Sequence, residues 1–111
     1  MEKPITLTRN GDFKRMYHRG KSSVGSCLVT YAMKSRTGRV RYGITTSKKI
    51  GKAVQRNRAR RVIAEAFRLL VPELNLSTDL VFVARGKTCH VKSTMIQREM
   101  KKQLTALGLI K

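Results

Sequence analysis

Apolar residues recur with helical spacing in the middle of the chain. They follow the i, i+3, i+4, i+7 series of a single helix face and are Ala59, Val62, Ile63, Ala66, Phe67 and Leu70. An uninterrupted series of this kind predicts an amphipathic helix whose apolar side packs on a core. Because Pro72 has no backbone N–H and cannot continue a helix, we expect this one to begin near Val54 and to end before Pro72.

Two shorter segments with the same spacing predict a helix near each end of the chain. In residues 10–20 the apolar side consists of Phe13, Met16 and Tyr17. In residues 91–108 it consists of Met95, Ile96, Met100, Leu104 and Leu107. Asn10 or Asp12 can cap the first helix, and a glycine follows each apolar series, as is common where helices end.

Three other segments carry the residues and the period of two that are typical of strands. Residues 26–33 alternate, and residues 40–46 follow a polar, glycine-bearing turn, so these two strands are predicted to pair as an antiparallel hairpin. Residues 79–85 are apolar nearly throughout, which predicts the central strand of a sheet, covered on both faces. The predicted order of elements is α-β-β-α-β-α.

This order predicts one α+β domain over residues 1–111, a two-layer α/β sandwich in which helices pack on a small mixed sheet. The chain of 111 residues has room for a single core. The strand at 40–46, the central helix and the strand at 79–85 form a β-α-β unit. The hand of its crossover does not follow from the pattern.

The charge of the chain indicates its class of partner. Twenty-five Lys and Arg stand against six Asp and Glu, a formal net charge of +19, while 41% of the residues are hydrophobic and sufficient for a core. Polyanions are therefore the expected ligands. Nucleic acid comes first, because many phosphate contacts release counterions together, and an anionic membrane comes second.

Targeting signals and cysteines indicate the compartment. The apolar runs are far shorter than the roughly 20 residues that cross a bilayer, and the N-terminus lacks the apolar region of a secretion signal. Cys27 and Cys89 lie in apolar surroundings and are expected to be free thiols. These features predict a reducing, cytoplasmic location.

The basic residues are concentrated at the start of the central helix. Residues 48–61 contain seven Lys or Arg, and Glu65 is the only acid between Asp12 and Glu73. The residues predicted to bind RNA are Lys48, Lys49, Lys52, Arg56, Asn57, Arg58, Arg60, Arg61 and Arg68. A merely solvated helix face is the alternative, but such a face would mix charges of both signs to relieve repulsion.

These residues carry a family resemblance. The segment RYGITTSKKIGKAVQRNRARRVIAEAFR, residues 41–68, resembles the signature of the protein subunit of bacterial ribonuclease P, with its Ser-Lys-Lys turn and its Arg-Asn-Arg motif opening a helix. The other predicted elements match that family over nearly the whole chain. The resemblance implies an α/β sandwich with a left-handed β-α-β crossover.

The resemblance also implies a function. In that family a catalytic RNA with magnesium ions hydrolyses precursor tRNA to free the mature 5′ end, and one protein assists one RNA by binding it and the 5′ leader of the precursor. The chain agrees with a non-catalytic subunit. His18 is isolated and Cys89-His90 are adjacent, so the sequence shows no acid and base pair and no set of metal ligands.

The family's leader-binding cleft lies between the first helix and the sheet, and its aromatic positions correspond to Phe13, Tyr17 and Tyr31. Tyr17 and Tyr31 are candidates for stacking on single-stranded bases, whereas Phe13 could equally fill the core. The cleft distinguishes this hypothesis from its main rival, a ribosomal or other structural RNA-binding protein. A membrane-active cationic protein is disfavoured, because the apolar stripe of the basic helix is needed for the core.

Overall fold

We analysed a computed structural model of the chain, which describes residues 5–7, 10–35, 38–74, 77–86 and 88–110. Its strands and α-helices, in chain order, are β1 (Ile5–Thr6), α1 (Asn10–Arg19), β2 (Lys21–Val24), β3 (Leu28–Lys34), β4 (Arg41–Thr45), α2 (Ala53–Leu70), β5 (Thr78–Ala84) and α3 (Ser93–Ala106). The six predicted elements are present in the predicted order. The prediction missed the short strands β1 and β2.

The described strands form one mixed sheet in the order β1-β4-β5-β3-β2. The central strand is β5, which pairs parallel with β4 and antiparallel with β3. All of its residues are buried except Val83, which is half-buried. The prediction of a central strand covered on both faces is confirmed.

The predicted hairpin between β3 and β4 is wrong. Both strands exist, but β5 lies between them and pairs with each. β3 and β4 do run in opposite directions, but residues 36 and 37 of the predicted turn at 34–39 lie outside the described part of the structure. Because β5 is apolar on both faces, it is more stable in the interior of the sheet than at an edge, and it separates the two strands that are neighbours in sequence.

The predicted β-α-β unit is confirmed as β4, α2 and β5, since β4 and β5 are parallel neighbours and α2 connects them. The left hand of its crossover, implied by the resemblance, stays a prediction.

Helices α2 and α3 pack on one face of the sheet. Their buried side chains, among them Ile63, Phe67 and Leu104, meet Leu28 and Phe82 of the strands. The Phe67 and Phe82 rings lie 5.1 Å apart between centroids. This sheet and helix pair are the predicted two layers, and they contain most of the core.

Helix α1 lies on the opposite face of the sheet. Met16 is buried there against Leu7 and Val81, with Phe13 and Tyr31 packed at the side of this smaller cluster. The two-layer prediction did not anticipate a helix on this face. Part of the sheet beside α1 is consequently left open.

Polar contacts fix α3 to β3. The side chain of Gln103 is buried, and its Nε2 donates to the Leu28 carbonyl at 2.7 Å while its Oε1 accepts from Thr30 Oγ1. Glu99 accepts from the backbone N–H of Cys27 at 2.9 Å. These contacts pair groups that would be costly to bury alone.

Cys27 is buried with a free thiol, as expected. The side chain of Cys89 lies outside the described part of the structure. None of the described helices combines the length and the apolar character that crossing a membrane requires.

Candidate nucleic-acid interface

The basic segment is positioned by a sharp turn at Gly51. Its φ of 138° lies in a region that other residues rarely adopt, and a Cβ there would come within 1.9 Å of Gln55 Oε1. That oxygen accepts from the backbone N–H of Lys52 at 2.8 Å. Gly51 therefore allows the chain to pass from the 3-10 turn Lys48–Ile50 directly into α2.

We call the nine predicted RNA-binding residues between Lys48 and Arg68 the basic face. Eight of them are exposed, and Arg56 is half-buried. The buried apolar residues of α2, including Ala59 and Ile63, lie on the other side of the helix. The start of α2 also has the positive end of the helix dipole, which adds to the field of the three lysines. An anionic ligand would offset their mutual repulsion.

Arg68, at the far end of the basic face, has an acidic partner on its own helix. Its Nη2 donates to Glu65 Oε1 at 2.8 Å, one helical turn away. The hydrogen bond and charge of Arg68 lower the pKa of Glu65, and Glu65 in turn raises the pKa of Arg68. Part of the charge of Arg68 is thus already neutralised, and its contact with RNA stays a prediction.

The three predicted cleft aromatics lie together on the α1 side of the sheet. The rings of Tyr17 and Tyr31 meet edge to face, with centroids 5.0 Å apart and planes at 73°. Tyr17 is 42% exposed, while Tyr31 is half-buried against the small cluster below α1. We call this pair the tyrosine platform.

Beside the platform runs a row of side chains, one from each of four strands. The register places Val24 opposite Val29, Val29 opposite Val83, and Val83 beside Thr45. Val24 is 68% exposed and the other three are half-buried. We call these four residues the open row; together with the platform they form an apolar cleft whose floor is sheet and whose wall is α1.

Phe13 packs directly on the sheet. Its ring lies over Gly43, where a Cβ would come within 2.5 Å of the Phe13 Cε1 atom. The ring is half-buried and contacts the small cluster. The sequence left open whether Phe13 stacks on bases or fills the core. This geometry favours a supporting role in packing α1 on the sheet.

The basic face and the cleft are two surfaces, since α2 and α1 pack on opposite faces of the sheet. They approach each other at the end of β4, where Thr45 of the open row is followed within four residues by Lys48 and Lys49. Two separate strands of nucleic acid could therefore be held at the same time.

The family model described as Ribonuclease P matches residues 1–108. The chain belongs to the ribonuclease P protein family. Among curated relatives, the ribonuclease P protein component of Thermoanaerobacter sp. strain X514 is 40% identical over 100 residues, which is 90% of this chain and 86% of the relative. That of Clostridioides difficile strain 630 is 45% identical over 80 residues, 71% of this chain and 70% of the relative.

Solved structures of the ribonuclease P family share the fold. The ribonuclease P protein of Staphylococcus aureus superposes with a TM-score of 0.85 at 29% identity, covering 98% of this chain and all of that one. The protein from Thermotoga maritima superposes with a TM-score of 0.77 at 25% identity, covering 91% and 94% of the two chains. The resemblance noted from residues 41–68 is thereby confirmed.

Sequence reasoning missed two contributors to the cleft. The valines of the open row become neighbours only through the register of β2, β3 and β5, which no local pattern contains. Gly43 lies between the core-facing Tyr42 and Ile44 of β4, on the face that Phe13 covers, and an isolated glycine inside a strand is a known signal of close approach.

Among the described residues, no three of His, Cys, Asp and Glu lie close enough together to hold a metal ion.

Proposed function

We propose that this chain is the protein subunit of a bacterial ribonuclease P, in which it binds the catalytic RNA and the 5′ leader of precursor tRNA. Membership of the family supports the assignment as the protein subunit. An exposed basic surface and a separate apolar cleft support the binding of the catalytic RNA and of the leader. The RNA subunit carries the hydrolysis that frees the mature 5′ end of tRNA.

In this proposal the basic face binds the ribonuclease P RNA. Exposed guanidinium groups of α2 form bidentate contacts with phosphates, and the lysines before the helix act as mobile point charges. Asn57 can donate to a phosphate and accept from a 2′-hydroxyl. Folding fixes the backbone that bears these groups, so only the rotamer freedom of the exposed side chains is still lost when RNA binds.

The cleft receives the single-stranded leader. The tyrosine platform offers faces and edges on which bases can stack, and the open row provides an apolar surface for a neighbouring base or sugar. The observation that carries the proposal is this cleft, because a purely structural RNA-binding protein requires a phosphate-binding face but has no use for a stacking groove.

Magnesium belongs to the RNA in this proposal, and one protein joins one RNA in the cytoplasm. The contribution of the protein is electrostatic. Two polyanions, the catalytic RNA and its substrate, must come together, and a protein of net charge +19 reduces their repulsion. It should therefore lower the magnesium concentration that cleavage requires.

The test is to add the purified protein to a bacterial ribonuclease P RNA at low magnesium, with a precursor tRNA that has a 5′ leader. Cleavage at the mature 5′ end should depend on the protein, and protein alone should release no leader. Equal cleavage with and without the protein at every magnesium concentration would contradict the proposal, and tight RNA binding without stimulation would favour a structural role.

A further inference from the structure

A second concavity, of about 630 Å³, lies where α1 ends and the sheet edge begins. Its floor is apolar and includes Ala32 and Met33 of β3 and Leu107 and Leu109 from the end of α3. Its volume falls in the range that is usual for sites of small ligands, about 300 to 1,000 Å³. Neither the basic face nor the cleft accounts for it.

The rim of this concavity is positively charged. Arg19, Lys21 and Lys34 line it and are exposed, and none of the described lining residues is acidic. No acid in the described part of the chain forms an ion pair with these three cations. An apolar floor with an unneutralised cationic rim is complementary to a ligand that has a flat apolar part and an anionic part.

The hydroxyl groups of two lining residues already have acceptors. Ser77 Oγ donates to the Gly38 carbonyl, and Thr78 Oγ1 donates to the Met33 carbonyl at 2.9 Å. The chemistry left for a ligand is therefore the apolar floor and the cations.

The concavity begins at the end of the tyrosine platform and extends around the sheet edge, since Ala32 and Leu109 belong to the core on the α2 and α3 face. Arg19 follows Tyr17 by two residues in the last turn of α1, and Met33 follows Tyr31 by two residues on the same face of β3. A polynucleotide stacked on the two tyrosines would meet the concavity with its next units. This continuity favours RNA over an acidic peptide, which would have no reason to begin at a stacking platform.

We propose that this concavity, bounded by Arg19, Lys21 and Lys34, binds a nucleotide of the precursor leader beyond those held by the tyrosine platform. Its base lies on the apolar floor and its phosphate lies against the cations. The proposal rests on the leader-binding function proposed above. It adds a second leader site with its own residues and its own length dependence.

The experiment uses the holoenzyme, reconstituted with a bacterial ribonuclease P RNA, and precursor tRNAs whose leaders increase by one nucleotide. The variant Lys21→Ala/Lys34→Ala removes two exposed cations of the rim. The matched control, Lys92→Ala/Arg98→Ala, removes two exposed cations near the start of α3. Tyr31→Ala marks the leader length at which the platform begins to contribute.

The rim variant should bind short-leader precursors as the wild type does, and should lose about tenfold in affinity at leaders longer than the length marked by Tyr31→Ala. The control variant should bind precursors of every leader length with the affinity of the wild type. Leaders with 4-thiouridine at successive positions should crosslink first to the platform and then, one or more nucleotides further out, to peptides containing residues 32–34 or 107–109.

The two proposals fail differently. Wild-type affinity that is independent of leader length would overturn the leader-binding function itself. A normal length dependence, lost in Tyr31→Ala but unchanged in the rim variant, would overturn only the second site. A loss in the rim variant that is equal for all substrates, including mature tRNA, would assign the concavity to the catalytic RNA and would likewise overturn it.

Discussion

At position 43 the absence of a methyl group decides how closely α1 approaches the sheet. A Cβ on Gly43 would lie 2.5 Å from the Phe13 ring, so Gly43→Ala must displace the ring or the helix. We expect a loss of about 1 to 3 kcal/mol in the free energy of unfolding, the usual cost of overpacking. Thermal or denaturant unfolding measures it.

The matched control for this substitution is Gly11→Ala, in the helix α1 that packs over Gly43. A Cβ at Gly11 would meet nothing within 4 Å, and its φ is not positive. This variant should be as stable as the wild type or slightly more stable. Equal stability of both variants would show that Phe13 does not need the space above Gly43.

Glu65 reduces the charge that α2 presents to RNA, because it pairs with Arg68. Its pKa is lowered by that partner, so it remains ionised at neutral pH. We expect Glu65→Gln to increase affinity for the ribonuclease P RNA and to steepen the dependence of affinity on salt. Filter binding across a salt series measures both, and an unchanged affinity would mean that Arg68 lies outside the contact.

At the scale of elements, the exposed arginines of α2 should each contribute one phosphate contact. Arg60→Ala and Arg61→Ala should each lower the slope of log affinity against log salt by about 0.7 to 0.9. Their circular dichroism should be unchanged, since both side chains are exposed. Arg98→Ala on α3 is the matched control, and an equal effect there would indicate attraction by net charge alone.

The tyrosine platform joins α1 to β3 and gives a prediction that depends on the substrate. Tyr17→Ala and Tyr31→Ala should weaken binding of precursor tRNA to the holoenzyme by about 1 to 3 kcal/mol, the range for one stacked base. Binding of mature tRNA should hardly change. If the tyrosines only fill the core, the losses will be equal on both substrates and will accompany a lower melting temperature.

The ion pair between β4 and β5 holds these strands in register. Arg41 and Asp79 are opposite each other, and Arg41 donates twice to the carboxylate, at 2.8 and 2.6 Å. This contact raises the pKa of Arg41. Because the Asp79 side chain is only 3% exposed, Arg41→Ala leaves a buried charge unpaired and should cost about 3 to 5 kcal/mol.

A double-mutant cycle isolates the contribution of that pair. Arg41→Ala combined with Asp79→Asn should be less destabilised than the sum of the single variants, because the unpaired carboxylate is then absent. Strictly additive losses would show that the two groups act independently.

For the whole molecule, local sequence patterns were sufficient to predict those elements whose structure depends mainly on their own residues. The apolar series in α2 and the continuous apolar run in β5 predicted both elements and their burial. The pairing of β3 and β4 was mispredicted, because strand partners depend on contacts far apart in sequence. The sequence of β2, Lys-Ser-Ser-Val, has no clear alternation, so that strand depends on β3 for its structure.

The same distinction applies to the site. The helical part of the basic face could be predicted from α2 alone, because helical periodicity separates its arginines from the buried stripe. The tyrosines were identified through the family resemblance, and the open row required the register of four strands. A surface on one helix is thus readable from sequence, whereas a cleft between elements is not.

The sheet order also has a consequence for synthesis on the ribosome. The centre of the sheet is β5, and the ribosome completes it only at residue 84, after the whole of α2 has been made. Until then β3 and β4 have no strand between them, and a polycationic helix emerges beside ribosomal RNA without a completed core beneath it. The sheet that joins β3 to β4 can therefore form only after the fourteen or so residues between α2 and the end of β5 have been translated and have left the exit tunnel.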